Sequence, residues 1–262
     1  MKSKKNILAV LPLRSGSKRV KDKNIRIVGC HPLYYHSIAT CLKVKDIDVI
    51  VVSVDCQKYK EHVENYFKNN SIDVIIHTAA MTSVRLCEEN KQLAWKTNVH
   101  GTKNLVNIVL KSKSNIKLIY VSTACVFDGH SEMYDEDDIP YPENFYALTK
   151  LLGESEISKL SNSIIIRTNF VSKNIWPYPA AFTDRFGTYL FASNVSIGIK
   201  DILENNLSGI VHIVGDKKIS MYELAKITTP NVLPMKIDEY NGPSLTMDMS
   251  FDSKRWKKYS LN

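Results

Sequence analysis

Glycine is scarce where a nucleotide-binding chain would use it. The 262 residues contain 10 glycines, and Gly16 alone stands between Met1 and Gly29. A run of three spaced glycines after the first strand, the usual turn for letting backbone approach a pyrophosphate, is therefore absent. Cysteine is sparse as well. The five thiols (Cys30, Cys41, Cys56, Cys87, Cys125) are odd in number and form no C-x2-C pair. That excludes a zinc ribbon and a disulfide framework and points to reduced thiols in a cytoplasmic protein. The seven histidines (His31, His36, His62, His77, His100, His130, His212) show no ligand spacing with carboxylates or cysteines, so no metal is expected. No apolar run is long enough to span a bilayer, and MKSKKN leads directly into a short strand rather than a signal-peptide core, so no membrane association is expected.

What is present is an ordinary globular composition, 44% hydrophobic and 24% charged, with a net charge of +8. The lysines are dispersed. Only Lys18 to Lys23 is densely basic, and it lacks interleaved aromatics, so the charge reads as a basic surface rather than a nucleic-acid groove.

Short β-branched runs alternate with helical stretches. Strands are expected at Ile7–Pro12, Asp48–Val54, Asp73–His77, Lys117–Ser122 and Ser163–Arg167. Helices are expected at Leu33–Leu42, Lys58–Lys68, Glu88–Leu110 (with a break around Asn98–Gly101) and Asn144–Leu160. This rhythm predicts an α/β fold, a Rossmann-like doubly wound parallel sheet. Beyond Arg167 the pattern loosens. The stretch WPYPAAFTDRFGTYLF reads as irregular, followed by a helix at Asn194–Glu204, a strand at Gly209–Val214, a helix at Met221–Ile227 and a tail that is mostly coil. The expected organisation is a nucleotide-binding domain over 1–170 and a small C-terminal substrate lobe over 171–262 that partly returns to the sheet.

A tyrosine and a lysine four apart, Tyr146 and Lys150, share one face of the helix after Asn144. An ammonium one turn away lowers a phenol's pKa towards neutrality, which suits delivery of a proton to a carbonyl oxygen. Thr123, at the end of the preceding strand, can hydrogen-bond the same oxygen. Elsewhere the residues read as structure: His77 and His212 as packed core groups, Asp135–Asp138 as a solvated loop, and Trp176, Tyr178, Phe182, Phe186 and Tyr189 as packing.

The ordered set Ser122-Thr123, Val126-Phe127-Asp128-Gly129, Tyr134, Glu136, Asp138, Pro140, Pro142, Asn144, Tyr146, Lys150 and Gly153-Glu154 resembles the extended short-chain dehydrogenase/reductase superfamily, and within it the dTDP-4-dehydrorhamnose reductase branch. The resemblance covers about residues 61–262. It implies reduction of the 4-keto group of a nucleotide-linked 6-deoxy sugar with NADPH or NADH, in the biosynthesis of cell-surface polysaccharide sugars. It also implies roles: Tyr146 as proton donor, Lys150 on the nicotinamide ribose, and Thr123 on the substrate oxygen. Ala79, Ala80 and Met81 would line the cofactor, with Ala124, Phe170 and Trp176 towards the sugar. Two departures stand out. Ala124-Cys125 replace an Asp-Tyr pair, and the stretch from Phe170 to Gly209 is shorter than in those reductases.

The first 59 residues resemble something else, the opening of acylneuraminate (CMP-sugar) cytidylyltransferases, through Arg14, Ser15, Gly16, Ser17, Lys18, Lys23, Asn24, Pro32-Leu33, Ser53 and Asp55. In that family the loop grips CTP phosphates, and Mg²⁺ is required only under this alternative. In a reductase the same residues, with Asp55 on an adenosine ribose, would hold the cofactor instead. Three functions therefore stand open: a reductase, a non-catalytic nucleotide-sugar-binding or regulatory protein with a degenerate cofactor site, and a cytidylyltransferase relative. A nucleotide sugar is the expected ligand throughout, and a homodimer is left open.

Overall fold

The computed structural model describes residues 72–112 and 115–261, together with the strand segments Ile7–Leu13, Ile27–Val28, His31–Pro32 and Val49–Val54. Arg14, Ser15, Gly16, Ser17, Lys18, Lys23 and Asp55 lie outside the described residues, as do the helices expected at Leu33–Leu42 and Lys58–Lys68.

In chain order the strands are β1 (Ile7–Leu13), β2 (Ile27–Val28), β3 (His31–Pro32), β4 (Val49–Val54), β5 (Val74–His77), β6 (Lys117–Val121), β7 (Ser163–Thr168), β8 (Phe170–Val171), β9 (Ala180–Phe182), β10 (Phe186–Gly187), β11 (Leu190–Phe191), β12 (Gly209–Ile213), β13 (Ile219–Ser220), β14 (Leu233–Met235) and β15 (Asp248–Met249). The helices are α1 (Val84–Glu89), α2 (Lys91–Trp95), α3 (Gly101–Lys111), α4 (Phe145–Ile157), α5 (Ala192–Glu204) and α6 (Met221–Thr228).

The chain folds as two compact units. The first draws on Met1–Thr82, Gln92–Val121 and Leu152–Ser163. Its strands run parallel in the order β6-β5-β1-β4, with Leu8 opposite Val49, Ile7 opposite Val74 and Val74 opposite Lys117. Strand β6 is buried along its whole length, as a parallel strand covered on both faces must be. Helix α3 turns Thr102, Leu105, Val106 and Val109 inward at helical spacing. The break expected around Asn98–Gly101 is a π-helical turn, Lys96–His100, which tucks Asn98 and Val99 into the interior.

The second unit draws on Ser83–Lys91, Ser122–Leu151 and Ile164–Asn262. Strands β7 and β12 pair in parallel, with Ile164 opposite Gly209 and Thr168 opposite Ile213. The stretch read as irregular carries order of its own: β10 pairs antiparallel with β13 and parallel with β15, while β9 pairs with β14 and β11 with β8. Ladders of two or three residues are too short to print an alternating pattern, so both this segment and the tail read as coil. Trp176 is held here by its own lobe. Its indole packs on the Ala181, Ala225 and Val232 cluster, and its Nε1–H donates to Ala180 O at 3.1 Å.

Candidate active site

In the second unit the site starts from the cap of α4. Asn144 Oδ1 accepts the Ala147 N–H at 2.9 Å, and Glu88 Oε1 accepts the Phe145 N–H at 2.6 Å. Two of the orphan donors of the first turn are thereby satisfied. The cap fixes where the helix begins, so Tyr146 falls in its first turn and Lys150 one turn later. Both side chains are buried, Tyr146 at 9% and Lys150 at 2% exposure.

Thr123 follows β6 in extended conformation, and its Oγ1 accepts the Cys125 N–H at 3.2 Å. The same hydroxyl acts on the Tyr146 phenol. The structure thus joins two of the residues expected to act on one carbonyl oxygen. The electrostatics differ from the expectation of a phenol lowered towards neutrality. Burial pushes the Tyr146 phenol up, the thiols of Cys125 and Cys87 push the same way, and only the Thr123 hydroxyl pulls it down. Cys87 is itself raised to about 11, by burial and by the Glu88 carboxylate. Like any tyrosine it carries its proton at neutral pH, and the upward shift makes it a weaker acid than a free phenol.

Much of the surrounding signature is scaffold. Phe127 stacks on Tyr134 with centroids 4.5 Å apart, and the Arg167 guanidinium lies 5.1 Å above the Phe127 ring. Asp128 accepts from the Tyr134 hydroxyl and from the His130 N–H. Gly129 adopts a φ of 79°, and a Cβ there would meet Asp248 N and Met247 N at 2.9 Å. The acidic run is the solvated loop expected at Asp137 and Asp138 but not at Glu136. Glu136 is buried, because its carboxylate accepts from His212 N at 2.9 Å, Lys254 N at 2.9 Å and the Ser253 hydroxyl. Asp135 and Asp137 meanwhile pair with Lys254, and Asp137 also with Arg255. The core reading of His77 and His212 matches: His77 Nε2 meets Thr102 Oγ1 at 2.9 Å, and His212 Nδ1 meets Asp252 O at 2.9 Å.

Of the residues expected towards the sugar, Phe170 is 44% exposed, Ala124 is buried in a short 3₁₀ turn, and Trp176 is engaged in packing. In the first unit, the turn of Ala79, Ala80 and Met81 follows β5. It is held by Asn98, whose Oδ1 accepts the Met81 N–H at 2.7 Å and whose Nδ2 donates to Met81 O at 3.1 Å. Sequence reasoning placed Asn98 in a helix break but gave it no task. Of the residues around β10 it passed over Arg185 and Asn169, and it read Tyr189 only as packing. No local spacing in the sequence would have grouped them.

A threonine hydroxyl acting on a buried phenol, with a lysine one helical turn away, is the set of residues expected from the resemblance to short-chain dehydrogenases/reductases. Residues 24–186 match the family described as RmlD substrate binding domain, and the chain belongs to that family. The chain is 29% identical over 238 residues to methionine adenosyltransferase 2 subunit beta of Xenopus laevis, covering 81% of this chain and 66% of that protein. It is 31% identical over 196 residues to the dTDP-4-dehydrorhamnose reductase of Aggregatibacter actinomycetemcomitans, covering 66% of this chain and 65% of that protein. It therefore spans just under two thirds of the length of either relative. Among solved structures, the dTDP-4-dehydrorhamnose reductase of Bacillus anthracis in complex with NADP superposes with a TM-score of 0.72, at 22% identity over 95% of this chain and 90% of that one. This likeness establishes the expected Rossmann-like α/β fold. The match from residue 24 begins inside the first 59 residues, and the cytidylyltransferase resemblance, with its Mg²⁺, finds no support in these relatives. Among the described residues, no helix is long and apolar enough to cross a membrane.

Proposed function

We propose that the chain is an NAD(P)H-dependent reductase of a nucleotide-linked 4-keto-6-deoxy sugar, serving the synthesis of surface polysaccharide sugars. The observation that carries this reading is the placing of Thr123, Tyr146 and Lys150: all three side chains are buried, Lys150 stands one helical turn from Tyr146, and the Thr123 hydroxyl acts on the phenol. In the second unit Lys150, one turn from the phenol, is assigned to the ribose of a nicotinamide nucleotide; in the first unit Ala79, Ala80 and Met81 are assigned to the cofactor. When bound, that cofactor supplies the hydride. The chain's own residues do the rest. Thr123 orients the substrate carbonyl oxygen, and Tyr146 gives it the proton as negative charge develops. Phe170, still half-exposed, offers an aromatic face to the sugar. We assign residues 171–262 to substrate binding. Arg14, Ser15, Gly16, Ser17, Lys18, Lys23 and Asp55 are assigned to cofactor phosphate and ribose, in place of the missing glycines. The test is NADPH oxidation by the purified protein with a dTDP-4-keto-6-deoxy sugar, and its absence at saturating cofactor sinks the reading.

A second reading is favoured by one observation, the similarity over 81% of the chain to a protein named as a subunit of another enzyme. Under it the chain keeps nucleotide-sugar binding without turnover, and changing Lys150 leaves that binding intact. Equilibrium binding beside the turnover assay separates the two.

A further inference from the structure

Around β10 the second unit buries a guanidinium without a counter-ion. Arg185 is 8% exposed. Its Nε–H donates to Thr246 O at 2.8 Å, while its outer nitrogens face only thioethers, Met249 Sδ at 3.1 Å and Met221 Sδ at 3.9 Å. Among the described residues no carboxylate forms an ion pair with it. Asp248, next to Met249 in β15, is committed to Lys218 and to Ser250. Removing a cation from water without pairing it costs several kcal/mol, and sulfur is a weak acceptor that recovers little of this.

Three uncharged polar atoms nearby share the condition. Tyr189 Oη and Thr246 Oγ1 sit in residues 1% and 0% exposed, and both atoms, with Asn169 Nδ2, are buried without a hydrogen-bond partner. They belong to one locality. Thr246 supplies the carbonyl that Arg185 holds, and the Arg185 charge acts on the Tyr189 phenol. Asn169 Nδ2 and the Tyr189 ring both lie against Gly187, where a Cβ would come within 2.9 Å of the amide and 2.8 Å of ring atom Cζ. Buried polar atoms are almost always paired, and several orphans around an unpaired cation mark the place of a missing acceptor.

That place adjoins the reacting group. Arg185 and Cys125 touch the same sulfur, with Cys125 Sγ 3.6 Å from Met249 Sδ. The Cys125 N–H donates to Thr123 Oγ1, which acts on the Tyr146 phenol. Cys125 is one of the two residues, with Ala124, that depart from the reductase pattern on this side of the site.

We propose that Arg185, with Tyr189, Asn169 and Thr246 about it, is an oxyanion subsite that sets substrate specificity. Two parallel N–H groups of the guanidinium take the anion, and the Tyr189 hydroxyl and the Asn169 amide complete its shell. Assigning the anion to the substrate rests on the reductase reading above; the subsite itself does not. In a nucleotide-linked sugar two groups carry this chemistry, the diphosphate and a carboxylate on the sugar.

The test is thermal unfolding of the full chain without nicotinamide, with inorganic pyrophosphate or with pyruvate as probe. Either anion is expected to raise the wild-type Tm by a few degrees. Larger protection by pyrophosphate identifies the diphosphate, and larger protection by pyruvate a sugar carboxylate. Arg185→Met, which places a thioether among thioethers, is expected to match or exceed the wild-type Tm without anion and to lose the shift. A purely structural Arg185 would make that variant less stable. Tyr189→Phe, which removes only an unpaired hydroxyl, is expected to fold and to lose part of the shift. Equal shifts in wild type, Arg185→Met and Tyr189→Phe, or no shift in wild type, overturn the subsite. Because this readout needs no turnover, failure of the reductase reading leaves it standing. Where turnover is measured, Arg185→Met is expected to raise KM for the nucleotide sugar at least tenfold and leave kcat within a few-fold, whereas an unchanged KM contradicts the specificity role.

Discussion

The Asn98 side chain clasps the backbone of Met81 from both sides, taking its N–H at 2.7 Å and giving an N–H to its carbonyl at 3.1 Å. A residue in a π-helical turn thus shapes the turn assigned to the cofactor. Asn98→Ala removes both of these buried hydrogen bonds, and a loss of about 1–3 kcal/mol is expected in urea unfolding. Asn98→Asp keeps the acceptor but loses the donor, and should fall between.

Gly153 tests the packing beneath α4. A Cβ there would sit within 2.2 Å of Tyr120 Oη and 2.8 Å of ring atom Cζ, and Tyr120 is itself 1% exposed. Gly153→Ala is therefore expected to cost about 1–3 kcal/mol through overpacking. Gly209→Ala meets nothing within 4 Å, and only its φ of 77° resists a side chain. Its cost should be about 1 kcal/mol. Calorimetric Tm values should rank the two in that order.

Glu136 ties the segment before α4 to residues 212, 253 and 254. Burial alone would raise its pKa. The hydrogen bonds from Ser253, His212 and Lys254 outweigh it and hold the carboxyl below its ordinary 4.5. A carboxylate lowered on folding contributes stability that is complete above its unfolded pKa and lost as pH falls through the folded value. Unfolding free energy should therefore drop below about pH 4.5. Glu136→Gln should be less stable at pH 7 and show a shallower acid limb.

Lys150 separates the catalytic reading from the regulatory one. Lys150→Met is expected to lower kcat by about 10²–10⁴-fold and to weaken NADPH binding. A subunit without turnover would keep its nucleotide-sugar affinity unchanged in the same variant, as isothermal titration would show.

The parts of this site that were legible in the sequence are local. Tyr146 and Lys150 are one helical turn apart, Asn144 caps that same helix, and Thr123 ends the strand before it. The strands β1, β4, β5, β6, β7 and β12 announced themselves by short, mainly apolar runs. What stayed illegible depends on distant partners. Glu136 read as one charge in a solvated run because its donors arrive 76 to 118 residues later. Arg185 gave no signal, since its neighbours Met221, Thr246 and Met249 come from three other segments. The lowered phenol expected at Tyr146 followed from the Lys150 spacing, whereas the observed rise follows from burial, which spacing does not reveal.

The central claim is that Tyr146 protonates a sugar carbonyl. It is tested most sharply by NADPH oxidation, followed through the nicotinamide absorbance, with a dTDP-4-keto-6-deoxy sugar, for wild type against Tyr146→Phe. The account predicts turnover by the wild type and a loss of about 10²–10⁴-fold in the variant with its fold intact. Turnover that survives Tyr146→Phe undiminished would contradict it.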